Sequence, residues 1–121
     1  MFIKSIDWMD EERREAIVIV SDMENEIKCF ADGLKYDVGD VLVDPLECLT
    51  TKNVFRSYEN KTFIDNKRTC FSYRVIGRLI DKNNGLVQVG DISLHISPEL
   101  IPGDIERNEQ IEFETDRIDL Y

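Results

Sequence analysis

The chain has 121 residues, 42% of them hydrophobic and 33% charged, with a formal net charge of −10. A domain of that size buries roughly two-thirds of the surface that its unfolded chain exposes, so no disulfide or metal staple is needed, and the Val, Ile and Leu runs exclude a disordered chain. Cys29, Cys48 and Cys70 are odd in number and form no CxxC pair, which excludes a disulfide framework and a four-cysteine zinc site.

Charge is laid out in three blocks. Residues 1–51 carry 5 basic and 13 acidic side chains, 52–82 carry 8 and 3, and 83–121 carry 2 and 9. Acidic ends favour cationic partners, whereas the basic middle by itself favours anionic ones. The opening "MFIKSIDWMDEERRE" places acids where a signal peptide needs an apolar stretch. No run approaches the roughly 20 apolar residues of a membrane-spanning helix, so a cytoplasmic location with no membrane partner is the expectation.

Along the chain, two-residue periodicity and β-branched side chains dominate. "FIKSIDW" (2–8) reads as a first strand, "MDEERRE" as a turn, and "AIVIV" (16–20) as a strand buried on both faces. "SDMENE" turns into "IKCFA", where Ile27, Cys29 and Ala31 share one face, and "DGLKYDVGD" leads into a further short strand, "VLV" (41–43). At "DPLECL", Asp44 is a candidate cap, Pro45 suits the first helical position and Glu47 completes a capping box, which predicts one short helix. Residues 50–69 are polar and aperiodic, a long loop or an irregular hairpin.

From 70 to 96 two β-rich runs meet at Asn84-Gly85, a pair suited to a tight hairpin turn. Gly77 interrupts the first run, as a bend or close backbone approach would. In the second, Val87 and Val89 share one parity while Ile92, Leu94 and Ile96 share the other, which predicts a bulge at Gly90-Asp91. "VGDVLVDP" (38–45) echoes "VGDISLHISP" (89–98), as a turn feeding a strand does rather than as a repeat. In the closing segment Ile111, Phe113 and Thr115 give way to Ile118 and Leu120, so a terminal strand must gain one residue near Asp116-Arg117, which predicts a bulged strand after a loop.

These elements predict a single mostly-β domain over 1–121: a small curved barrel or sandwich of seven or eight antiparallel strands with one short helix. With "VGDVLV" and "NEQIEF" as turn-into-strand segments, residues 15–121 resemble an oligonucleotide/oligosaccharide-binding (OB) barrel in architecture. That resemblance implies a fold and carries no function by itself.

Nothing in the sequence calls for catalysis or a cofactor. The single histidine, His95, alternates with Leu94 and Ile96 and should face away from the core, and no nucleophile motif accompanies it. Phosphate-cradling glycine loops, HExxH and EF-hand spacings are absent from the sequence, and 25 carboxylates single out no catalytic pair.

Two binding surfaces remain. The first is acidic: Glu106, Glu109, Glu112, Glu114 and Asp116 would present carboxylates to a cationic protein, with solubility and edge-strand protection as the plainer alternative. The second interleaves aromatic and basic residues, as single-stranded nucleic acid binding requires: Phe55, Arg56, Tyr58, Lys61, Lys67, Arg68, Arg74 and Arg78. Its plainer alternative is that the aromatics are core and the cations are neutralised by the acidic flanks.

A small acidic chain without a catalytic motif resembles, in general character, the immunity proteins that neutralise bacterial toxins. That resemblance implies an inhibitor occluding a basic toxin such as a nuclease. An OB-like nucleic acid binder and an accessory domain of a larger assembly are the alternatives.

Overall fold

The computed structural model describes residues 1–66 and 71–121. Among them are nine strands: β1 (Phe2–Asp10), β2 (Glu15–Ser21), β3 (Glu26–Ala31), β4 (Leu46–Arg56), β5 (Phe63–Asn66), β6 (Tyr73–Asp81), β7 (Leu86–Val89), β8 (Ile92–His95) and β9 (Gln110–Leu120). The helical content among the described residues is a 3-10 turn at Pro98–Leu100, between β8 and β9.

The strand order is β1-β2-β3-β9-β4-β8-β7-β6-β5, and a further pairing of β9 with β6 closes β4, β8, β7, β6 and β9 into a five-stranded ring. Starting from β6, the ring runs through an antiparallel meander to β8, a parallel step to β4, and antiparallel steps to β9 and back to β6. Those pairings are OB-like, with the ring's last strand placed ahead of its first in the sequence. Two pairings, β4 with β8 and β3 with β9, are parallel rather than antiparallel.

β9 holds the molecule together because it is long enough to serve two neighbours on one side. Residues 110–115 pair with β6, while Asp119 and Leu120 pair with β3. The sheet β1–β2–β3 therefore grows from the end of the barrel. Its inward residues, Ile3, Ala16, Val18, Val20, Ile27, Cys29 and Ala31, share one core with Leu46, Val75, Val87, Ile92, Leu94 and Phe113 of the ring. The expected sharing of a face by Ile27, Cys29 and Ala31 is borne out, whereas β2 is fully buried on one face only, with Ile17 and Ile19 half-buried on the other.

Polar ties fix the sheet to the barrel. Asp22, in the β2–β3 turn, accepts the Asp91 backbone N–H at 3.0 Å and those of Glu24 and Asn25 at 3.0 and 2.6 Å. Burial pushes the Asp22 carboxyl up, but these donors outweigh it and hold it below the ordinary range. The Lys28 backbone N–H donates to the Tyr73 hydroxyl at 2.8 Å, and Phe30 packs on Phe71 at 4.7 Å between ring centroids.

The hairpin through Asn84-Gly85 is present as β6–β7, with a four-residue loop in which Gly85 has φ +67°. An added Cβ there would lie 1.9 Å from the Ile96 carbonyl oxygen, so glycine is required twice over. Gly77 is the close approach anticipated: a Cβ would meet the Val87 side chain at 2.5 Å.

Several expectations are corrected. No helix forms at Asp44–Glu47: β4 starts at Leu46, because β8 and β9 flank the strand and Leu46 and Cys48 point into the core, outweighing the local capping signal. Residues 41–43 form no strand. Val41 makes a lone bridge to Phe2, and the segment is anchored through buried Leu42.

The parity change at Gly90-Asp91 comes from a two-residue hairpin turn, not a bulge, with Gly90 at φ +58°. The stretch 50–69 is partly ordered pairing: β4 continues to Arg56 and β5 pairs with β6. β9 exchanges its inward face as anticipated, with Asp116 and Arg117 both outward. The bulge expected in β9 at Asp116-Arg117 is absent, since its register with β4 does not slip there; Thr50, opposite in β4, takes φ +54° instead, and the extra residue lies in β4 between Lys52 and Phe55. β9 lies between neighbours, so its acids are not edge-strand protection.

Candidate functional site: an aspartate-valine ridge on the acidic face

The acidic and basic sets predicted from sequence meet each other. Glu109 accepts from the Arg56 Nε, and Arg56 also donates to the Asp104 carbonyl at 2.6 Å. The guanidinium, with the Glu106 backbone N–H, holds the Glu109 carboxyl below the ordinary range. Glu112 accepts from Arg74 at 2.7 Å with its side chain only 14% exposed, and Arg74 in turn lies 5.2 Å over the Phe63 ring. Asp116 pairs with Lys52 at 3.5 Å.

Glu114 is half-buried and opposite both Lys52 and Arg74, while Glu106 is exposed in the loop. Arg78 donates to the Asn108 carbonyl at 2.9 Å. Phe55, Tyr58 and Lys61 are exposed, and Lys67 and Arg68 lie outside the described residues. The cause of this mutual pairing is topological, since β9 runs between β4 and β6 and so places the last acidic block against the basic one.

The cysteines are structural where described. Cys29 and Cys48 are both buried, and desolvation raises each thiol well above its usual range, which suppresses the reactive thiolate. His95 faces outward as expected. Its Nδ1 lies 2.7 Å from Glu47, a partnership made by the parallel step from β4 to β8. Glu47 has Asp119 opposite it on its other side, and Asp119 takes a two-pronged bond from Arg117 at 2.8 and 2.9 Å. Among the described residues no group of three His, Cys, Asp or Glu side chains is placed to hold a metal ion.

The uncommitted surface lies elsewhere, on the connection between β3 and β4. Val38, Val41 and Val43 are 61, 70 and 86% exposed, and Asp37, Asp40 and Asp44 are interleaved with them. This ridge is ordered by its backbone. Ile3 donates to the Asp40 carbonyl at 3.0 Å, Gly39 to Ile3 at 2.8 Å and Leu42 to Met1 at 2.9 Å, while Asp40 closes a turn by accepting the Asp37 N–H at 2.8 Å.

Asp40 and Asp44 have no cation within ion-pair distance among the described residues, nor have Asp7 of β1 and Glu11 and Glu12 in the turn after it. Asp37 reaches Arg14 only at 4.0 Å. Exposed valines alternating with carboxylates, two of the three without a cation among the described residues, make a surface suited to a partner with cations around an apolar contact. Sequence reasoning missed the ridge by treating "VLV" as a strand. The signal was that both parities are apolar, with aspartates on either side.

No family model matches the chain. Neither a curated protein nor a solved structure matches it. Among the described residues no helix is long and apolar enough to cross a membrane.

Proposed function

We propose that this chain is an acidic protein-binding module that docks a cationic protein, acting as an immunity or inhibitor protein that occludes a basic toxin such as a nuclease. The observation that carries the reading is the ridge of Val38, Val41 and Val43 standing exposed among Asp37, Asp40 and Asp44. Exposed apolar anchors with a charged rim provide contact area and steering together, because carboxylates attract a basic partner at long range and desolvated valines retain it. Glu109 and the β9 acids Glu112 and Asp116 contribute less than their number in the sequence promised, being held by Arg56, Arg74 and Lys52.

The reading is tested by calorimetric titration of the chain against a set of basic ribonuclease and deoxyribonuclease domains, including any encoded beside it, at low and physiological salt. A salt-sensitive complex with loss of nuclease activity is expected, weakened at least tenfold by Val41→Ser combined with Val43→Ser. No complex with any cationic protein at low salt would overturn it.

A second reading, single-stranded nucleic acid binding, is favoured by one observation. Arg78, Lys82 and Arg107 have no carboxylate within ion-pair distance among the described residues. Lys82 and Arg107 line a groove of about 420 Å³ together with Ile80, Asp81, Asn83 and Leu86, so its two cations outnumber its one carboxylate. Oligonucleotide binding at low salt, lost on changing Arg78 and Lys82 to Glu, would support this reading over the first.

A further inference from the structure

We propose that the outer edge of β1 takes up an extended, lysine- or arginine-rich segment of the partner as an added strand. This rests on the reading of the chain as a binder of cationic proteins and names the mode of binding. β1 is one end of the sheet, with β2 on its inner side. The chain already uses the start of the outer edge, where Asp40, Gly39 and Leu42 exchange backbone bonds with Ile3 and Met1.

That pairing stops where Asp37 and Asp40 turn the loop away. From Lys4 to Met9 no described residue bonds the outer side of the strand. Ser5, Ile6, Asp7 and Trp8 lie in unbroken register with Ile19, Val18, Ile17 and Ala16, so a straight four-residue stretch is open between two register shifts. An incoming strand would satisfy its backbone groups and lie end-on to the ridge at Val38.

Charge selects the occupant. Around this edge Asp7, Glu11, Glu12 and Asp40 meet no cation among the described residues, whereas three of the cations are engaged: Lys4 with Glu26, Arg13 near Asp10 and Glu15, and Arg14 with the Leu34 carbonyl and over Trp8 at 4.8 Å. Lys35, exposed in the connection after β3, is the remaining cation there, and the four acids outnumber it. A second copy of this chain is disfavoured by the net charge of −10 and by the two register shifts, which bend the edge away from a long flat pairing. A basic extended segment meets neither obstacle.

The test uses an acetylated ten-residue peptide of alternating lysine and valine, titrated into the isotope-labelled chain and followed by amide NMR. Amides of Ser5 to Met9 should shift and gain protection from exchange. Methylating alternate peptide nitrogens should weaken binding at least tenfold, because it removes backbone donors while keeping every charge. Asp7→Asn should weaken binding severalfold, and Asp7→Lys more.

Equal binding of the methylated peptide, or shifts that spare β1, would overturn strand addition and leave the edge acids as protection against aggregation. If a basic nuclease still bound in a manner sensitive to Val41 and Val43, the proposed function would stand without this mode. If neither peptide nor basic protein bound, both would fall.

Discussion

The barrel wall and the rim of the N-terminal sheet are both rich in acids, yet they treat them in opposite ways. In the wall, Glu109, Glu112 and Asp116 are matched by Arg56, Arg74 and Lys52, and the cation-aromatic adjacency at Arg74 and Phe63 is likewise internal. On the rim, Asp7, Glu11, Glu12, Asp40 and Asp44 meet no cation among the described residues, and Asp40 and Asp44 alternate with exposed valines. Charges matched within the chain contribute to its cohesion, whereas unmatched charges remain for association. The difference separates a structural use of electrostatics from a binding use, which composition cannot do.

The comparison is most severely tested in the wall's interior. Phe113 is fully buried between β4 and β6, and Phe113→Ala should cost about 3–5 kcal/mol in urea unfolding. A loss below about 1 kcal/mol would mean that the ring is not closed around it.

Next in size is the wall's ion pairing. Glu112→Lys places a second cation against Arg74 at a largely buried position and should cost about 1–3 kcal/mol, with much of it recovered in the Glu112→Lys, Arg74→Glu double variant. Partner affinity measured on the folded fraction should be unchanged. A stable Glu112→Lys variant with lost affinity would instead return β9 to the interface.

The acid limb of stability sharpens the same contrast. Asp22 and Glu109 are held below their ordinary carboxyl values in the fold, so the unfolded chain takes up protons first as pH falls. Their stabilisation is complete above roughly pH 4 to 5, where the unfolded carboxyls are ionised, and is lost as pH falls through the folded values. Asp22→Asn should make that acid limb shallower in thermal melts from pH 7 to 3. The smallest effect belongs to the ridge: Val41→Ser with Val43→Ser should change stability by no more than about 0.5 kcal/mol per site while weakening the partner complex.

Much of the fold was legible in the sequence because strand periodicity is a local property of side chains facing one core. Alternation exposed β1, β2, β3 and the β6–β7 hairpin, and glycine chemistry marked Gly77 and Gly85 for the close approach and positive φ that they have. The capping box at Asp44 was a local signal defeated by distant strands, since only β8 and β9 make Leu46 and Cys48 more stable in extended form. The Gly90-Asp91 parity change marks an irregularity without distinguishing a turn from a bulge, because a two-residue turn and a bulge shift parity alike.

By itself the sequence determined a mostly-β domain, the inward faces of its main strands and an acidic surplus, all of which follow from residue types and two-residue spacing. Only the tertiary structure decided which charges are engaged. Placing β9 between β4 and β6 sets the last acidic block against the basic one, the parallel β4–β8 step brings Glu47 to His95, and anchoring Leu42 turns Val41 and Val43 outward. Pairing depends on which strands become neighbours, and chain closure over many residues sets that neighbourhood. No local pattern encodes it.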